Sequence, residues 1–307
     1  MNAEIPRRPL GSTGEMVSII GLGGFHIGTQ AEEKESIAII RAAIDNGMTF
    51  MDNCWDYNDG TSEIRMGKAL RDGYRQRAFL MTKADGRDKK TALHQIDESL
   101  GRLQTDVIDL LQFHEVIQET DPTRIFAPGG AMEAFVEARK AGKIRYIGFT
   151  CHKSPHMILK MLQTASDNGF RFDTIQMPLN IMDAHYDSFQ KQVVPGLVEQ
   201  KIGILGMKPL GDHQILISET ATAPECLRYA MSLPVSVVFT GCDSMEILEQ
   251  ALTAARTFSP MSDTERTELL ERTAEAGSKG KYERYKTTDI HDATCRNPQW
   301  LDESLKT

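Results

Sequence analysis

Apolar positions along the chain fall into two alternating patterns. Short, dense apolar runs at residues 20–23, 48–52, 78–83, 107–114, 145–150, 174–177, 204–207 and 235–240 predict eight strands. Between them, apolar residues recur three and four apart, as with Ile37, Ile40 and Ala43 in residues 33–46. That spacing predicts helices over 33–46, 62–72, 88–103, 131–141, 155–168, 188–201, 223–232 and 244–255. The run at 107–114 is apolar almost throughout, as suits a strand buried on both faces. Punctuation agrees with the pattern: Gly142 and Gly203 follow predicted helix ends, and Ser154-Pro155 forms a cap and first-turn pair. Ahead of the first unit, residues 8–10 and 17–19 flank the turn residues 11–14 as a short hairpin. Eight βα units in one order predict an α/β fold of the (β/α)8 TIM-barrel type.

A chain of 307 residues accommodates either one large barrel or two ordinary domains. Glycine, proline and serine are nowhere concentrated as a linker, so the reading is a single domain over 1–307. Residues 259–307 form a C-terminal helix followed by a polar, irregular tail. No apolar run approaches the length of a membrane span, and the first residues lack a secretory apolar segment. A net charge of −8 argues against nucleic acid or anionic membrane as the main partner. The expectation is a soluble cytoplasmic protein, monomeric or homo-oligomeric. Its five cysteines are scattered without a C-x-x-C pair. His152 and His156 sit four apart near Cys151, but Pro155 between them marks a helix start rather than one helical face, so no metal site is expected.

Candidate chemistry gathers where predicted strands end. In FMDNCWDYNDGTSE (50–63) an apolar run closes on Asp52, and Tyr57 follows five residues later. Lys83 closes AFLMTK and His114 closes VIDLLQFH. Each alone reads equally as a capping acid, a surface phenol, a rim ion pair or a polar strand end. Together, at three successive strand ends on the face where barrels carry their chemistry, they form a proton-transfer set.

In order and spacing these four residues resemble the aldo-keto reductase family. The stretches LGSTGEMVSIIGLGG (10–24), GGAMEAFVEARKAGKIRYIGFT (129–150) and GMKPLG (206–211) are similar to it as well. The resemblance implies reduction of an aldehyde, ketone or sugar carbonyl, or the reverse, with NADP(H) as cofactor and NAD(H) as an option. It implies Tyr57 as proton donor, Lys83 lowering the phenol's pKa, Asp52 orienting Lys83, and His114 donating to the substrate oxygen. It places Gly24, Phe25, Asp52, Thr150, Cys151, Gln176, Met207, Lys208 and Leu210 on the cofactor, with Gly241, Asp243, Ser244 and Glu249 after the eighth strand. Cys151 replaces the usual Asn, and Met207 an aromatic ring. Trp55, Tyr57 and His114 are expected to line the substrate pocket. The family's hairpin plugs the barrel, and its tail folds over the rim, where Tyr282, Tyr285 and Trp300 are candidates to pin it. Gly21-Leu22-Gly23 does not complete a Rossmann loop, since His26 holds the third glycine position. A cofactor-binding regulatory subunit with slow redox chemistry is the alternative function, and barrel isomerisation a minor one.

Overall fold

The computed structural model describes residues 4–302. Strands β1 (Arg7–Pro9) and β2 (Met16–Ser18) pair antiparallel. The next eight are β3 (Ile20–Gly23), β4 (Phe50–Met51), β5 (Phe79–Ala84), β6 (Ile108–Phe113), β7 (Ile144–Thr150), β8 (Thr174–Pro178), β9 (Gly203–Met207) and β10 (Val237–Gly241). They run parallel in sequence order, and β10 pairs with β3 to close a barrel. Helices lie between successive strands; the predicted cap Ser154 accepts a backbone N–H bond at its helix start, and Asp88, Thr222 and Ser244 do the same at theirs.

The barrel interior is layered by the two-residue period of its strands. Phe50, Met81, Leu110, Leu205, Val237 and Phe239 pack at its lower end with Leu10 and Val17 from the hairpin. The hairpin is fastened there by Arg8, which donates to the carbonyls of Met231, Leu233 and Val235. At Gly11, φ is +54° and an added Cβ would stand 2.4 Å from the Gly203 nitrogen, so the turn comes against the barrel only as glycine. Two residues beyond Phe50, Met81 and Leu110 the same faces turn polar, at Asp52, Lys83 and Gln112, and Gln176 of β8 is buried as well.

Two expectations are corrected. The predicted helix over 188–201 is two short helices, Phe189–Gln192 and Val194–Glu199. Pro195 has no N–H to bond back into the preceding turn, so the first helix stops and a second begins. The tail is not irregular throughout. After the helix Asp263–Gly277 it forms single helical turns at Arg284–Thr287, Ala293–Arg296 and Pro298–Leu301. None of the described helices is long and apolar enough to cross a membrane.

Candidate active site

All eight strand ends meet at one cavity of about 620 Å³, whose wall includes Gly23, Asp52, Lys83, His114, Thr150, Gln176, Met207 and Gly241. Lys83 lies at its floor, 1% exposed. Its ammonium has three protons and three acceptors: Asp52 Oδ1 at 2.5 Å, the Asn53 carbonyl at 2.7 Å and Tyr57 Oη at 3.2 Å. The loop carrying Tyr57 is tightly wound. Asn58, Asp59 and Gly60 all have positive φ, a conformation that Asn, Asp and Gly tolerate best. Asn58 Nδ2 donates to the Phe25 carbonyl at 2.8 Å, and the Phe25 ring meets Tyr57 edge-on at 5.6 Å. Gly24 permits this approach, because a Cβ there would stand 2.3 Å from the Asp52 carbonyl oxygen.

The expected lowering of the Tyr57 pKa is not what this environment produces. Burial, then the Asp52 charge, push the phenol well above its ordinary value. Asp52 lies closer to the Lys83 charge than Tyr57 does, so its pull offsets part of what the cation gives a phenolate, and burial adds to the rise. The result is a phenol that keeps its proton at neutral pH.

His114 stands beside Tyr57, ring centroids 5.8 Å apart. Its Nδ1 lies 2.9 Å from Asp85 Oδ1 and 3.5 Å from Asp56 Oδ1. Burial holds His114 below the ordinary imidazole value. The turn that aligns these groups is fixed by Arg87, fully buried. It donates to the carbonyls of Asp85, His114 and Glu115 and to Asp121 Oδ1 at 2.9 Å. Glu115 sits next to the site and accepts from Thr294 of the tail. Burial pushes its carboxyl up, but His114, His152 and the Thr294 bonds outweigh it and hold the pKa below the usual range.

The expected cofactor residues divide into two groups. Gly24, Phe25, Asp52, Thr150, Gln176, Met207, Lys208, Leu210 and Gly241 line the cavity. Gln176 Nε2 donates to Asp52 Oδ2 at 3.4 Å, while its Oε1 is buried with no partner. Cys151, Asp243, Ser244 and Glu249 do not reach the wall. Cys151 is fully buried behind it, its thiol donating to the Ser154 carbonyl. Ser244 spends its hydroxyl capping the helix Met245–Arg256, Asp243 accepts through its backbone carbonyl from Gln30, and Glu249 pairs with Arg256 at 3.6 Å.

Trp55 is also corrected. It is absent from the cavity wall, its Nε1 donates to Glu98 at 2.7 Å, and its ring meets Trp300 of the tail edge-on at 6.0 Å. An indole N–H that finds a carboxylate on the outer helix turns the ring away from the barrel axis. The roof over the cavity comes from the tail instead, through Ile290, His291, Ala293 and Arg296. His152 Nε2 and Lys153 Nζ both contact the Asp292 carboxylate, at 3.1 and 2.6 Å, and anchor that segment. Tyr285 is buried, hydrogen-bonded to Asn180 and Glu283.

The model of the aldo/keto reductase family matches residues 19–223, which include Asp52, Tyr57, Lys83 and His114. The chain belongs to the aldo-keto reductase family. Among curated relatives it is 33% identical over 215 residues to aldo-keto reductase YhdN of Bacillus subtilis (strain 168), covering 64% of this chain and 59% of that protein. It is 28% identical over 221 residues to the uncharacterized oxidoreductase YrpG of the same organism, covering 66% and 65%. In both, the match spans less than two thirds of the relative's length. Among solved structures, aldo-keto reductase AKR11C1 from Bacillus halodurans (holo form) has a similar fold, with a TM-score of 0.75 at 23% identity over 91% of this chain and 100% of that one.

Within this member of the family, sequence reasoning missed Asp56, Asp85, Arg87 and Glu115. Their signal was present: Asp85 is two residues past Lys83, and Glu115 directly follows His114. His291 and Arg296 had none, because nothing in a polar tail says which of its residues turns inward.

Proposed function

We propose that the protein reduces the carbonyl group of a small molecule, using a nicotinamide nucleotide and a proton from Tyr57. The observation that carries this reading is the Lys83 ammonium held between Asp52 and Tyr57 at the floor of a cavity that His114 also faces.

The cavity wall fits such a cofactor. Gln176 Oε1 is a buried acceptor without a donor, beside Thr150 at the adjacent strand end, and these two would hold a carboxamide. Gly23, Gly24 and Gly241 give the wall a low profile where a ring and ribose need room. Met207 offers a thioether face in place of an aromatic ring. Lys208 would contribute positive charge near phosphate groups. When bound, the nicotinamide supplies the hydride.

The chain's own residues handle the oxygen. As charge grows on it, Tyr57 donates its phenolic proton and His114 donates a hydrogen bond. Lys83 holds the phenol in place and stabilises the phenolate left behind, and Asp52 holds Lys83. A phenol kept protonated at neutral pH is loaded for reduction and poorly placed to act as base for alcohol oxidation. The reading takes the barrel and the segment from Ser259 onward as one unit, with the tail shaping which substrates enter.

The test is turnover of aldehydes, ketones and sugars with NADPH and with NADH. Tyr57→Phe should lower kcat about 10²- to 10⁴-fold while cofactor affinity stays within about threefold. A variant that reduces its best carbonyl at the parent rate removes Tyr57 from this role.

A further inference from the structure

Two carboxyl groups flank Nδ1 of His114, and the mechanism above uses neither. Asp85 is fully buried, with Oδ1 2.9 Å from Nδ1 and Oδ2 without a partner. Asp56 Oδ1, 3.5 Å from the same nitrogen, also has no hydrogen bond. With Cys54 they form a cluster whose donor atoms all lie within 4.8 Å of one another. Ligand atoms about 2.0 Å from one tetrahedral zinc would stand about 3.3 Å apart. The 2.9 Å contact is shorter, and suits a shared proton better than a shared cation.

Charge counting leads to the same place. The nearby cations are committed elsewhere: Lys83 to Asp52, Asn53 and Tyr57, and Arg87 to Asp121 and three carbonyls. Facing the pair are Cys54 and Asp56 from the loop after β4, Glu63 from the helix Thr61–Ala69, Lys83 and Arg87 from β5 and its loop, and Glu115 beside His114. His152 acts on this group through Glu115. The carboxylates outnumber the cations, and burial penalises every ionised form. Burial and Glu115 push Asp85 up to about 8, and burial and Asp85 push Asp56 up to about 7.

The position of that proton decides what His114 can do. An ionised Asp85 draws the imidazole proton to Nδ1 and leaves a bare lone pair on Nε2, which repels a carbonyl oxygen. A neutral Asp85 donates to Nδ1, so a neutral ring carries its proton on Nε2. We propose that Asp85 is a positioning residue: its protonated carboxyl donates to His114 Nδ1 and holds the ring in the Nε2–H tautomer that can donate to a substrate oxygen. This deepens the carbonyl-reductase reading and rests on it. Below about pH 8 the donor is present. As pH rises past that value Asp85 ionises, the tautomer flips, and reduction slows.

Two readouts on the full chain test it. The first is ¹⁵N NMR of histidine-labelled protein without substrate, with the His114 signals assigned by their loss in His114→Gln. The parent should show the Nε2–H tautomer at neutral pH and change to Nδ1–H above about pH 8. In Asp85→Asn the side-chain amide donates at every pH, so the Nε2–H tautomer should persist. The second is the pH profile of kcat/KM for carbonyl reduction. Its alkaline fall in the parent should move up by about one pH unit or more in Asp85→Asn. An Nδ1–H tautomer in the parent at neutral pH overturns the inference, and that measurement needs no variant to fold. An unchanged switch in Asp85→Asn overturns it too. A protein that shows the Asp85-dependent tautomer but reduces no carbonyl overturns only the reductase reading.

Discussion

An ammonium with three protons and three fixed acceptors has no freedom to turn, and this determines where Tyr57 Oη sits. The same arrangement sets the direction of the chemistry with pH. Because the folded phenol titrates above its ordinary range, the phenolate needed to oxidise an alcohol appears only at high pH. Oxidation should therefore rise with pH across the alkaline range, measured as initial rates with NADP. Lys83→Met should delay that rise further, since it removes a cation that touches the phenol and leaves Asp52 without its Lys83 partner. An unchanged oxidation profile would make Lys83 structural only. Asp85 gives a stability prediction of definite sign. Its folded pKa is raised to about 8, so the native state is stabilised while the carboxyl is protonated and loses that advantage as pH climbs from the unfolded value toward 8. Asp85→Asn should gain melting temperature relative to the parent progressively over that window, as read by thermal denaturation at several pH values. No relative gain would mean the carboxyl ionises without penalty.

At the scale of elements, the segment after the eighth helix is part of the cavity wall. Lys286 brings its charge to buried Asp183 at 2.7 Å and to Glu283 at 2.9 Å. Thr294 satisfies Glu115, and the Leu301 carbonyl accepts from the Arg87 backbone N–H. Truncation after Ser278 would strip all of these at once, so loss of fold would mask any change in selectivity. Lys286→Met isolates one strut and should cost about 3–5 kcal/mol in denaturant unfolding, because it leaves a carboxylate buried without its cation. A loss under about 1 kcal/mol would show that Ser188 and the backbone donors around Asp183 suffice alone. Selectivity is better probed by Ile290→Ala and His291→Ala, which face the cavity without carrying these buried pairs. They should change KM differently among carbonyl substrates and leave cofactor affinity unaltered. The strand and helix order of the barrel was legible because each unit has its own period and cap. The break at Pro195 was legible too, but was overridden by the apolar spacing around it. Trp55 was misplaced for a different reason: at a strand end an aromatic can turn to the axis or to the outer helix, and the deciding partners, Glu98 and Trp300, are remote in sequence.

For the whole molecule, closure of eight strands brings strand ends from Gly23 to Gly241 onto one cavity, and only the closed barrel gives their residues common chemistry. Asp52, Tyr57, Lys83 and His114 were readable as a set. The carboxyl groups behind His114 were not, because their meaning lies in distances rather than spacing. Cofactor preference follows from the same wall. Between Thr240 and Ala255 the chain has no basic residue, and Ser244 is spent on a helix cap. Discrimination between NADPH and NADH should therefore not exceed about tenfold in Kd by fluorescence titration. A thousandfold preference would mean that Lys208, Arg296 or another cation closes on the extra phosphate. The central claim, carbonyl reduction with Tyr57 as acid, is tested most directly by single-turnover mixing of the protein–NADPH complex with a panel of aldehydes and ketones, parent beside Tyr57→Phe. The expected result is rapid loss of reduced-nicotinamide absorbance in the parent, slowed about 10²-fold or more in the variant at equal cofactor occupancy. Full cofactor occupancy with no oxidation by any carbonyl, or equal rates in the two proteins, would contradict it.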